Sequence, residues 1–212
     1  MKHIKLTITF LIISFSLLSC QRQKEKNHSL SSKENLKFKN LTSENKTGLI
    51  MDENEFWKII EQSIIQSEND YEKQVETLKN ILKKLNEKEI EKFQNTFTEL
   101  MAKSYNWKLW GASYVINGGC SDDCFEYFRG YLIAHGRLRF YQTFENPESC
   151  ADWIKTESSE NWEAIGYSAM DAYREKTGKD MPFTYKTEYI LKGEKFNEEK
   201  VYEQYPKLSD KF

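Results

Sequence analysis

No stretch of the chain stays apolar for the roughly 20 residues that a membrane-spanning helix requires. Basic charge is not in surplus either. The 212 residues sum to a net charge of −2, and the two lysines of the first twenty residues and a net four positive charges in residues 21–50 leave residues 51–212 at −8. A nucleic-acid partner calls for a basic patch or stripe, so none is expected. Cysteine is scarce, four residues in all, with no Cys-x-x-Cys pair and no Cys/His zinc spacing. No metal site and no cofactor is expected from such a pattern. A serine–histidine nucleophile pair is missing as well, because Ser121 and His135 stand fourteen residues apart, roughly 21 Å along a helix at 1.5 Å per residue.

What is present begins with the anchor. Lys2, His3 and Lys5 form a short cationic head, followed by an apolar run from Leu6 to Leu18 broken only by Thr7, Thr9, Ser14 and Ser16. This is a secretory signal layout. It ends in Leu17, Leu18, Ser19, Cys20, which resembles the bacterial lipobox, in which the cysteine takes a diacylglyceryl group and the signal is cut just before it. The resemblance implies a signal peptide over residues 1–19, lipid on Cys20, and a chain held to a membrane on the periplasmic or outer side of the cell envelope. Two or more acyl chains suffice for stable attachment.

Residues 20–50 read as a tether. Seven Lys or Arg stand against three Asp or Glu between Gln21 and Ile50, with Phe38 the only aromatic, too little apolar surface to order the segment. About thirty residues of coil would hold the remainder of the chain on the order of 30 Å from the bilayer. The basic tether either lies on anionic lipid or is simply solvated. With Cys20 lipidated, three cysteines remain, so at most one internal disulfide can form. Cys120 and Cys124 stand four apart at an expected helix start, a strained spacing for a bridge, and buried free thiols are the expectation for all three.

Residues 51–212 carry helical periodicity throughout and read as one mainly α, compact multi-helix domain with an extended C-terminal arm. Asp52 and Glu55 give a capping-box-like start before Phe56, Ile60 and Ile64. A second helix carries Tyr71, Val75, Leu78, Leu82 and Leu85 on one stripe. Asn86 with Glu89 caps a third, with Ile90, Phe93, Phe97 and Leu100 in period, ending near Tyr105. The two short connections imply antiparallel neighbours. Trp107 to Ile116 is apolar almost all round and stops at Asn117, Gly118, Gly119, a buried short helix. Ser121 then caps a central helix through Phe125, Phe128 and Leu132, ended by Gly136. Asn146 and Pro147 open another, Trp162, Ile165, Ala169 and Tyr173 a further one closed by Gly178, and Phe183, Tyr185, Thr187, Tyr189 and Leu191 alternate as an extended arm wrapping the helices.

The densest signature is Asn117-Gly118-Gly119-Cys120-Ser121-Asp122-Asp123, followed by Phe125, Tyr127, Phe128, Arg129, Gly130, Leu132, Ile133, Ala134, Gly136 and Arg137. Together with Glu55-Phe56-Trp57, Ala112 to Val115, Tyr173, Thr177-Gly178, Gly193-Glu194 and Tyr205-Pro206-Lys207-Leu208, it resembles the bacterial family known as domain of unknown function 4240 over residues 51–212. The resemblance implies a helical domain and supplies no substrate, cofactor or catalytic residue. Relatives commonly carry glycine at the position of Cys124 and glutamine at that of His135, and most are free cytosolic domains, so the lipid anchor relocates the module.

Asn117, Ser121, Asp122, Asp123, Tyr127, Arg129, His135 and Arg137 are the candidate binding residues, drawn from that signature. Carboxylates beside an imidazole can serve as a base or as metal ligands. The bland alternative is that Asp122, Glu126 and Arg129, four and three apart, form ion pairs on one helix face. His135 near a helix C-terminus is then an imidazolium held by the dipole. A backbone-amide phosphate site at Asn117 to Gly119 is opposed by the adjacent Asp122 and Asp123. Five tryptophans and twelve tyrosines suit either a recognition surface or a core for short helices. The expected function is a membrane-tethered module binding a protein or small molecule. The alternative is a hydrolase or other enzyme using Asp122, Asp123 and Arg129.

Overall fold

The computed structural model describes residues 48–155 and 163–212. Residues 1–47, with the signal segment, Cys20 and nearly all of the tether, and Trp162 of the expected later helix lie outside the described residues. Nine α-helices are described: α1 Glu53–Gln66, α2 Tyr71–Leu82, α3 Glu87–Lys103, α4 Trp107–Asn117, α5 Asp122–Ala134, α6 Gly136–Glu145, α7 Ser168–Thr177, α8 Val201–Gln204 and α9 Pro206–Ser209. Short 3-10 turns at Pro147–Asp152 and Ala164–Tyr167 flank the undescribed 156–162 segment. The domain is mainly α, and none of the helices among the described residues is long and apolar enough to cross a membrane.

The helix starts follow side-chain chemistry. Asp52 accepts from the amides of Asn54 and Glu55, and Asp70 from that of Lys73. Asn86 and Glu89 close a reciprocal capping box, and Ser121 accepts from the Cys124 amide. Each such bond satisfies a donor that the helix itself cannot, worth about 1 kcal/mol. α5 runs through the centre, with Phe125, Phe128, Leu132 and Ile133 fully buried. α1 supplies Phe56, Trp57 and Ile60, and Phe56 stacks on Phe93 of α3 at 4.6 Å between ring centroids. Burying each such side chain contributes roughly 1.5–3 kcal/mol.

Several expectations are corrected. α2 packs against α1 as anticipated, but its other main neighbour is α7, which lies along both α2 and α3. Leu78 and Leu82 of the expected stripe are buried, but Gln74 and Ile81 join them on the buried face in place of Val75 and Leu85, which are only half-buried. The shift lets the Gln74 amide donate to the carbonyl of Ala134 at 2.7 Å, closing the C-terminal end of α5. Gly136 does interrupt the central helix, at φ +87, yet the chain turns there and at once begins α6. Arg137 and Arg139 had hidden the helical pattern, although Phe140 and Tyr141 form its buried side. Asn146 and Pro147 stand where a cap and first position were expected, but they open a 3-10 turn. The alternation after Pro182 forms no strand: only an isolated parallel bridge pairs Lys192 with Asn106. Tyr185, Thr187 and Leu191 lean on the helices while Phe183 and Tyr189 are exposed. Past this arm, α8 and α9, which no periodicity announced, return to α4, and the Lys211 ammonium donates to the carbonyls of Ala151 and Ile154 at 2.6 and 2.7 Å.

Candidate functional site

The signature segment is a structural clasp between α4 and α5. Cys120 and Cys124 are joined in a disulfide with Cα atoms 5.3 Å apart, contrary to the expectation of free thiols. The reversal has a local cause: Cys120 lies in the loop just before the cap, where the backbone is not yet helical and can bring the two Cα atoms within bonding range. Around the bridge, the Ser113 hydroxyl lies 3.0 Å from Cys120 Sγ. Trp110 Nε1 donates to the Cys120 carbonyl, and the Asn117 amide donates to the Ser113 carbonyl at 2.8 Å. Gly118 takes a left-handed φ of 63 and ends α4. Among the described residues Cys150 alone is a free thiol, buried, its Sγ bonded to the Pro147 carbonyl and its pKa pushed up to about 12 by burial.

The other residues of that candidate set do not converge. Asp122, Asp123 and Glu126 are exposed on the first turns of α5. Arg129, 3 % exposed, forms no ion pair with Glu126. Its guanidinium donates to the carbonyls of Met101 at 2.6 Å and Phe125 at 3.3 Å and lies over the rings of Tyr105 and Phe125. It is a cross-link between α3 and α5. His135 stands at the far end of α5 among Tyr71, Tyr131 and Trp153. Burial there lowers its pKa to about 4, with the Tyr131 carbonyl on Nδ1 and the Arg139 charge as smaller influences. The imidazolium expected from the helix dipole is therefore replaced by a neutral ring, because desolvation in an aromatic cage outweighs a dipole effect of about 0.3–1 kcal/mol. Tyr127 lines a small cavity of about 150 Å³ with Glu126, Glu163 and Tyr167. Among the described residues no group of three or more His, Cys, Asp or Glu is placed to hold a metal ion.

A larger cavity, about 580 Å³, lies where the C-terminal arm crosses α3 and the start of α4. Its wall holds a buried polar chain that the sequence reading missed. Glu53, 2 % exposed, accepts from Trp57 Nε1 at 3.0 Å and from the Tyr141 hydroxyl at 2.6 Å, both on Oε1. Its Oε2 is buried with no hydrogen-bond partner. Lys103 in turn donates to the Tyr141 oxygen at 3.2 Å, with its Nζ 4.6 Å from the centre of that ring. Burial lowers the Lys103 pKa to about 8, opposed by the charge of Glu53 and assisted by those of Lys192 and Arg137. Arg137 is the one member of the anticipated set near this chain, donating to Asn54 Oδ1 at 2.8 Å.

The signal for Glu53 and Lys103 was register. Glu53 sits three and four residues before Phe56 and Trp57, on the buried stripe of α1, and Lys103 three after Leu100 on that of α3. A charged residue in phase with an apolar stripe is rarely left unpaired in a core. Such a half-buried amine beside a phenol can bind an acceptor group or, when neutral, take up a proton.

No curated protein and no solved structure matches the chain. The family described as "Protein of unknown function (DUF4240)" matches residues 51–175. The match takes in α1 to α6 and most of α7, together with Glu53, Lys103 and Tyr141. Since it spans more than half of the sequence, the chain belongs to that family.

Proposed function

We propose that this protein is a lipoprotein of the cell envelope, tethered through Cys20, whose helical domain binds a small ligand in the cavity between α3, α4 and the C-terminal arm. The observation that carries the binding reading is the cavity itself. At about 580 Å³ it has the volume of small-molecule sites, roughly 300–1,000 Å³, and it joins apolar wall to a few fixed polar groups, as such sites do. Lys103 leads those groups, fixed from behind by the buried Tyr141 hydroxyl and Glu53. The Cys120–Cys124 bridge supports an extracytoplasmic location, because disulfides persist where thiols are not kept reduced.

Two experiments test the two halves. Full-length protein released from membranes in mild detergent should retain a small molecule in native mass spectra, and Lys103→Met should lose it. Wild type and variant both empty, or both equally loaded, would remove this cavity from consideration. For the anchor, a fatty-acid probe should label the wild type and not Cys20→Ala, and equal labelling of both would end the lipoprotein reading.

A further inference from the structure

The bonding state of the charged groups around this cavity is lopsided. Of its three carboxylates, Glu53 is sealed from solvent and already holds two neutral donors on Oε1, Glu99 accepts the Tyr185 hydroxyl at 2.6 Å, and Glu188 is exposed on the arm. The three cations of the same wall, Lys103, Lys108 and Lys192, have no carboxylate within ion-pair distance among the described residues. Lys103 is the most enclosed of them, and its single hydrogen bond goes to the Tyr141 phenol. An ammonium has three donors, so two N–H groups remain in a partly desolvated place. Lys192 lies close enough to repel it. Lys103 is half-buried and Lys192 exposed; a half-buried cation without a counter-charge is costly, and an anion placed between the two would remove both the repulsion and the missing acceptors. Leu100 and Phe144 form apolar wall beside these lysines, so the group attached to the anion need not be polar.

We propose that the cavity takes a small organic anion, its oxyanion head held by Lys103 and Lys192 and its apolar body against Leu100 and Phe144. This rests on the cavity being the binding site. A cationic ligand would meet two unpaired ammonium groups, and a neutral one would leave both donors on Lys103 unanswered. The head is a carboxylate or a phosphate, which a point-charge ammonium does not separate as an arginine fork would.

The test uses the full-length protein and four probes of one body and different heads: benzoate, phenyl phosphate, benzyl alcohol and benzylammonium. Lysine acetylation at pH 8, read peptide by peptide by mass spectrometry, reports occupancy at each ammonium. Benzoate or phenyl phosphate at millimolar concentration should protect Lys103 and Lys192 selectively, and which of the two does so names the head. By calorimetry, Lys103→Met and Lys192→Met should each weaken the bound anion about tenfold, with Lys103→Arg restoring most of it. Because protection is read on the wild type, a poorly folded Lys103→Met does not spoil the result. Equal or stronger protection by benzyl alcohol or benzylammonium would overturn the anion assignment while leaving the cavity a binding site. No protection by any probe would overturn both.

Discussion

His135 and Lys103 carry the clearest consequences of burial for single residues. With a folded pKa of about 4 against an ordinary 6.5, His135 binds its proton more readily in the unfolded chain, so its contribution is present above pH 6.5 and is lost as pH falls through 4. The full shift corresponds to roughly 3 kcal/mol. Carboxylates titrate over the same range, so the readout is a difference: urea midpoints of wild type and His135→Gln should converge between pH 6.5 and 4, and parallel curves would count against a neutral buried ring. Lys103 has the same sign at higher pH. Its pKa is lowered to about 8 from 10.5, so the unfolded chain holds the extra proton and stability should rise between pH 8 and 10.5. Partial exposure discounts the gain to roughly 1–2 kcal/mol. Lys103→Met should lack that rise, as measured by denaturant midpoints across the range.

The helices depend on their ends and clasps. Ser121→Ala should cost about 1 kcal/mol through its lost bond to the Cys124 amide. Asp123→Asn, altering only an exposed first-turn charge, should cost about 0.3–1 kcal/mol, and neither change should affect anion protection of Lys103. Opening the Cys120–Cys124 bridge with Cys120→Ser plus Cys124→Ser removes a very short loop, for which the chain-entropy account gives about 2 kcal/mol. Melting curves of the three variants order these effects. A loss of ligand protection larger than the loss of stability would restore the signature segment as a binding element. α2 and α7 are held from outside by Glu175, which accepts Lys79 and Lys83 at 2.8 and 2.7 Å and is kept at about 2 by those two bonds. Glu175 is solvent-exposed and the two lysines are only half-buried, so this clamp orients the helices more than it stabilises them.

At the scale of the whole molecule, the arm and its terminal helices complete both the core and the cavity. A β-carbon on Gly111 would stand 2.9 Å from the Tyr205 ring, so α4 carries glycine where α9 begins against it, and the Tyr205 hydroxyl bonds the Lys108 carbonyl. A chain ending at residue 200 should melt well below the full chain and should expose Trp107, which shares a wall with Gln204 and Tyr205, red-shifting its fluorescence. Unchanged melting and emission would show that α8 and α9 are dispensable. The helical class, the caps at Asp52, Asn86 and Ser121, and the breaks at Gly118 and Gly136 were legible in the sequence, because each depends on residues within a few positions of one another. Local spacing also led to the wrong state for Cys120 and Cys124 and the wrong charge for His135, since these depend on where the loop before α5 turns and on which rings close over its far end. The chain from Glu53 through Tyr141 to Lys103 joins residues 88 and 38 positions apart. Of the three, the sequence by itself determined that Glu53 and Lys103 fall in helices, in phase with apolar stripes, but not that Tyr141 does, since it lies in α6, which no periodicity announced. Only the tertiary packing decided that they touch, and that the arm covers them, because hydrogen bonding and desolvation act through distances in space that no periodicity along the chain encodes.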